Sequence, residues 1–121
     1  MRLDLKRYNR VQIDRKKEDK MIKHIVMWKV KEHEVHGSKE EVMKRIKVQL
    51  EDLKGEIEGL EEIEVGINYN PAETAYDLAL YSTFVSKEAL EGYQIHPKHV
   101  EVANNLVRQV ATSRVVVDYE L

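Results

Sequence analysis

A tyrosine and two histidines stand close together in the stretch Tyr93-Gln94-Ile95-His96-Pro97-Lys98-His99-Val100. Imidazole and phenol are groups that take up protons near neutral pH or donate a hydrogen bond to a developing oxyanion. His99 falls one turn into a helix that Pro97 can open. Burial and the positive helix N-terminus both lower an imidazole pKa, which keeps the ring neutral at pH 7 and able to act as a general base. Tyr93 lies across the proline bend and is placed to donate to a carbonyl that becomes enolate-like. A third ring, His24, sits on an otherwise apolar segment, where it would order either a ligand or His99. The candidate catalytic residues are therefore His99, Tyr93 and His24. Val26, Trp28, Leu80, Ser82 and His96 are candidates for the lining of a ligand cavity. Proton-transfer chemistry of this kind needs no metal and no redox cofactor. The same side chains also have a structural reading: His96 as the residue that caps the helix before Pro97, His24 as a satisfied core histidine, and Tyr93 as a cover over the core.

Other chemistries find less support. The chain has no cysteine, which excludes disulfides, thiol nucleophiles and cysteine-ligated zinc. His33 and His36 share a polar loop with no third ligand, and His96 with His99 would need further ligands, so no metal site is expected. The formal net charge is −2 and the six tyrosines are dispersed, which argues against a nucleic-acid surface. The apolar runs are too short to span a bilayer, and the N-terminus lacks the apolar core of a signal peptide. No membrane partner is expected, and a cytoplasmic location fits.

These side chains must be held by a scaffold, and 121 residues suffice for one domain. Residues 1–20 carry eight basic and four acidic side chains and read as a charged extension, with Met21 an alternative natural start. Leu3, Leu5, Val11 and Ile13 alternate enough for a short added strand. The domain proper is expected over 21–121. In residues 22–30, Ile22, His24, Val26, Trp28 and Val30 share one face of a strand, and Lys23, Ile25, Met27 and Lys29 the other. Both faces have an apolar centre, which predicts a strand inside a sheet and buried on both sides. Ser38 and Glu41 form a capping box, and Val42, Ile46, Leu50, Leu53 and Ile57 recur at helical spacing over about 39–54. Residues 60–68 form a second strand with an acidic outer face, which suits a sheet edge.

Residues 76–84 form a third strand, with Leu78, Leu80, Ser82 and Phe84 on one face. Ser86 caps a short helix that Pro97 ends, and a further helix follows with Val100, Ala103, Leu106, Val107 and Val110 as its stripe. In the last strand, 112–120, Val115, Val117 and Tyr119 face one way and Val116 the other. The order β-α-β-β-α-β predicts an α+β, ferredoxin-like fold with a four-stranded antiparallel sheet covered by helices on one face. Ile25, Met27, Ala79, Tyr81 and Val116 are candidates for the uncovered face. Leaving such side chains in water would cost about 1.5–3 kcal/mol for each large one. A homodimer that packs two open sheet faces together is therefore expected.

The opening Met21-Ile22-Lys23-His24-Ile25-Val26, the strand Tyr76-Asp77-Leu78-Ala79-Leu80, the Tyr93 to Val100 stretch and the closing Val115-Val116-Val117-Asp118-Tyr119 together resemble the stress-responsive A/B barrel (Dabb) family. The resemblance spans residues 21–121 and implies a dimeric α/β barrel. A plant polyketide cyclase of that family carries out an aldol cyclisation with a tyrosine and a histidine in the equivalent Tyr-x-x-His-Pro-x-His stretch. These match Tyr93 and His99, and a histidine on its first strand matches His24. Trp28 and Lys98 depart from the cyclase, which has a smaller aliphatic residue at the first position and a small residue at the second. The resemblance implies a small organic molecule bound between sheet and helices, with His/Tyr acid–base chemistry. The alternative is a non-catalytic, stress-associated dimer whose histidines are structural. A cavity of several hundred cubic ångströms would favour the first, and an indole that fills it the second.

Overall fold

The computed structural model describes residues 20–121; the charged extension and the strand expected within it lie outside the described residues. Strand β1 (Ile22–Val30) is followed by helix α1 (Lys39–Glu51), strands β2 (Leu60–Ile67) and β3 (Leu78–Phe84), and helix α2 (Lys87–Ile95). Helix α3 starts after His96. It runs as an α-helix over Pro97–Val102, widens into a π-helical segment at Ala103–Val107 and finishes at Arg108–Val110. Strand β4 (Ala111–Glu120) closes the chain. The four strands form one antiparallel sheet in the order β2-β3-β1-β4. β1 is thus central, and the acidic β2 is an edge, as its sequence predicts.

The helices begin where the sequence offers caps. Ser38 Oγ accepts from the Glu41 amide, while the Glu41 carboxylate accepts from the Ser38 amide. Two amides left orphaned at the helix start are satisfied in this way. Ser86 does half of the same for α2 by accepting from the Ala89 amide. Val42, Ile46, Leu50, Leu53 and Ile57 are all buried and form the inner stripe of α1 and the turns after it. Two polar ties fix α1 along the sheet. At its C-terminal end, the Glu51 carboxylate accepts from the Val65 amide (2.9 Å), and Lys47 donates to the Val65 carbonyl (2.6 Å). Both groups belong to edge strand β2 and would otherwise offer pairing to another chain. At the other end, the Asp77 carboxylate accepts from the Val30 amide (2.9 Å) and pairs with Lys39 (3.1 Å).

The core lies between the helices and one face of the sheet. It is built on Val26, Leu78, Leu80, Phe84, Ile46 and Leu106, each almost wholly buried. Two expectations are corrected here. β1 is central but buried on only one face. Ile22, His24, Val26, Trp28 and Val30 point into the core, whereas Met27 on the opposite face is 40% exposed, because among the described residues no layer covers that face. In β4, Val116 pairs with Val26 and Val117 with Ile25. Directly paired residues of an antiparallel sheet point to the same side. Val116 therefore lies on the helix side, in line with Arg114 and Asp118, and Val115, Val117 and Tyr119 lie on the open side. The more apolar set faces away from the helices, opposite to the expected assignment.

Gly59 makes the turn from α1 into β2 with φ +86°, and a Cβ there would stand 2.5 Å from the Ala89 Cβ. Gly55 also has a positive φ (+83°), but nothing lies within 4 Å of a Cβ at that position. Gly55→Ala should lose about 1–2 kcal/mol, the strain of the left-handed conformation alone. Gly59→Ala should lose about 1–3 kcal/mol more, because the clash adds an overpacking term. Urea denaturation of both variants checks this order.

Candidate active site

Tyr93, on the last turn of α2, is 1% exposed. Its ring packs on Phe84 (centroids 4.9 Å apart) and stands edge-on to His24 (6.1 Å). The His99 ring, from the first turn of α3, lies against its other side at 4.2 Å with a tilt of 37°. The bend at Pro97 makes this contact possible. His96 ends one helix in an extended conformation and caps the next, so the chain turns between residues 93 and 99 and brings the two rings together. Tyr93, His99 and His24, chosen from sequence as the catalytic candidates, thus form one cluster on the helix side of the sheet.

The cluster opens on a cavity of about 400 Å³ between sheet and helices, within the range of small-molecule sites. Val26, Trp28 and Leu80 line it, as do His24, Tyr93 and His99. Trp28 forms part of the wall and leaves the space open. Two of the expected lining residues are elsewhere. Ser82 is fully buried, and its hydroxyl donates to the His24 carbonyl (2.9 Å), which occupies it within the sheet. His96 Nδ1 accepts from the Lys98 amide (3.1 Å), so this ring serves as the helix cap.

Two buried polar atoms have no hydrogen-bond partner among the described residues: the Tyr93 hydroxyl and His99 Nδ1. A buried donor or acceptor left unpaired costs about 1–3 kcal/mol, so such atoms are rare without a reason. Burial pushes the Tyr93 phenol well above its ordinary range, with the Arg114 guanidinium opposing this in part. The phenol therefore stays protonated and keeps a proton to donate into a hydrogen bond. Burial holds His99 below the ordinary imidazole value; the Gln94 backbone works against this, while His24, Arg108 and Arg114 add to it. His99 is accordingly neutral at pH 7, with an available nitrogen. The site pairs a buried acid-type donor with a buried base.

His24 has a partner that the sequence reading missed. Its Nδ1 lies 2.5 Å from Asp118 Oδ1 on β4. An ionised carboxylate can only accept, so Nδ1 carries the proton, and Nε2 is left as an acceptor while the ring is neutral. Arg114, Arg108 and Gln94 also line the cavity without having been singled out. The signal for Arg114 and Asp118 was present in the alternation of β4, where they share a face with Val116. That face is the one the sequence assigns, through Val116, to the uncovered side of the sheet. Among the described residues no group of three His, Asp or Glu side chains is close enough to hold a metal ion. The His33 and His36 rings are 4.6 Å apart, but His33 Nδ1 accepts from loop amides and His36 bonds Gln109.

The stress responsive A/B barrel domain family, Dabb, matches residues 22–121. The chain belongs to this family. No curated protein sequence matches the chain. Among solved structures, a dimeric protein of unknown function with a ferredoxin-like fold from Bacteroides fragilis is 37% identical, with a TM-score of 0.71 over 84% of this chain and 96% of that one. A Dabb family protein with a ferredoxin-like fold from Mesorhizobium loti is 24% identical (TM-score 0.68, 84% and 97% covered). The hydroxynitrile lyase of Passiflora edulis is similar in fold at 20% identity (TM-score 0.69, 85% and 94% covered). The α+β, ferredoxin-like architecture of the Dabb domain is thus shared with proteins described as dimeric. Among the described residues no helix is long and apolar enough to cross a membrane.

The lowered pKa of His99 has a consequence for stability. Below pH 6.5, the ordinary value, the unfolded chain takes up a proton that the folded site resists. The stability due to the neutral buried ring is therefore present above that pH and is lost as pH falls through it. Wild type should lose more stability between pH 7 and pH 5 than His99→Gln, measured by urea denaturation at both pH values.

Proposed function

We propose that this Dabb domain is a homodimer that binds a small carbonyl compound between sheet and helices and exchanges a proton at the carbon next to the carbonyl. The observation that carries the reading is the pair of buried, unpartnered atoms, Tyr93 Oη and His99 Nδ1, beside one cavity. His99 Nδ1 takes the proton from carbon. The C–H electron pair becomes part of the enolate double bond, and the carbonyl pair moves to oxygen, where the Tyr93 hydroxyl donates a hydrogen bond. The imidazolium returns the proton to carbon, so no co-reactant is consumed. His24, oriented by Asp118, offers Nε2 to hold the ligand. The alternative, a dimer whose histidines are structural, accounts for His96 and Ser82. It leaves the Tyr93 and His99 atoms without a reason to be buried unpaired.

The homodimer reading draws on the open sheet face. Val115, Val117 and Tyr119 are 44%, 60% and 45% exposed there, next to Ile25 and Met27. A second sheet laid on this face would bury them, and the Bacteroides fragilis relative is dimeric. Lys23 provides a polar point on the same face through Tyr81 (2.5 Å) and Thr83 (2.9 Å). Val117→Asp would place a charge in the buried interface and should yield a monomeric mass in light scattering at micromolar concentration. A dimeric mass for that variant would remove this face from consideration.

The chemistry is tested by following deuterium exchange next to the carbonyl of simple ketones and keto acids by NMR, after a thermal-shift screen for binding. Wild type should bind members of the panel and speed exchange. His99→Gln should lower the exchange rate about 100- to 10,000-fold. Tyr93→Phe should lower it while leaving Tm equal or higher, because it removes an unpaired buried hydroxyl. Absence of binding across the panel, or equal exchange in all three proteins, would refute the reading.

A further inference from the structure

We infer that the cavity selects an organic acid: a carbonyl compound whose carboxylate lies against Arg114 and Arg108 while its carbonyl meets Tyr93 and His99. The inference rests on the function proposed above and adds the charge of the substrate. Two guanidiniums line the cavity and no carboxylate does. Asp118, on the same face of β4 as Arg114, is occupied by His24. The two guanidiniums put two positive charges on the cavity wall, in a chain whose formal net charge is −2.

The placement of Arg114 is hard to explain by packing alone. It is paired with Trp28 across the sheet and so projects to the helix side, toward the cavity. Among the described residues it forms no ion pair, although six other pairs are present. Arg108 comes from the end of α3 and uses one Nη1 bond on Asn104 (2.8 Å), which leaves most of its five donors available. A guanidinium presents a planar fork that fits a carboxylate with two parallel hydrogen bonds. The two arginines already act on the buried pair: both oppose protonation of His99, and Arg114 opposes the rise in the Tyr93 pKa. The positive potential therefore reaches the reacting groups. A cavity with low-dielectric walls concentrates such a field and draws in anions. The same field stabilises the enolate as its charge develops.

The test compares phenylpyruvate and levulinate with their methyl esters by calorimetric titration. Wild type should bind each acid more tightly than its ester, and added salt should weaken the acids alone. Arg114→Gln should weaken acid binding about 10- to 100-fold and leave ester binding unchanged. Arg108→Gln should act in the same direction. Lys54→Gln, which removes a charge outside the cavity lining, should change neither. Retained ester binding also shows that the arginine variants are folded. Esters binding as tightly as acids to wild type, or Arg114→Gln leaving acid binding intact, would overturn the anion selection while the cavity reading stands. Failure of acids and esters alike would overturn both.

Discussion

The register in which β4 pairs with β1 is the constraint on which the rest of the molecule depends. Every pair is directional: Val26 with Val116, Trp28 with Arg114, His24 with Asp118. A slip of one residue would turn the whole of β4 over. Asp118 would then leave His24, Arg114 would leave the cavity, and a row of valines would enter it. Nothing in the hydrophobicity of β4 prevents this, since its more apolar face is the one turned away from the helices. What opposes it is polar: the short His24–Asp118 bond at one end, and at the other the register shift between Lys29 and Val30, where the ladder resumes at Ala111. The elements that make the site are thus also the ones that hold the sheet in alignment.

Much of the scaffold was legible because local signals and tertiary packing agree. The capping box at Ser38, the stripe from Val42 to Ile57 and the break at Pro97 each follow from a physical rule that the tertiary structure does not override. The clustering of Tyr93, His99 and His24 was legible for the same reason: the proline bend sets the first two on one side, and strand alternation sets the third. β4 was misread because the rule that the apolar face points inward assumes a single inside. The fold has two apolar layers, one under the helices and one on the open face, and periodicity cannot say which of them a strand supplies.

Ser82 and His96 illustrate a second limit. Both were polar groups near the predicted site, and both hydrogen-bond locally, Ser82 to the backbone of β1 and His96 to its own helix start. Short-range bonds of this kind compete with any ligand for the same atoms. Tyr93 Oη and His99 Nδ1 differ because no hydrogen-bonding group among the described residues reaches them. The distinction between a structural and a chemical polar residue lies in the partner inventory, which one-dimensional spacing does not contain.

The π-helical segment at Ala103–Val107 gives α3 an unusual arithmetic. A step of four residues overshoots one α-helical turn of 3.6, so side chains four apart drift around a regular helix. The wider turn takes up that drift. His99, Ala103 and Val107 all reach the same cavity from one line along α3, and Ala111 joins them from the start of β4. Removing a single residue from this segment would return it to a regular helix and leave the flanking turns close to their present facing, because the wide turn holds one residue more than an α-helical turn. His99 would stay on the cavity, while the line through Ala103 and Val107 would lose its even step of four. The wide turn therefore gives α3 one extra position of chain beside the cavity without moving the base.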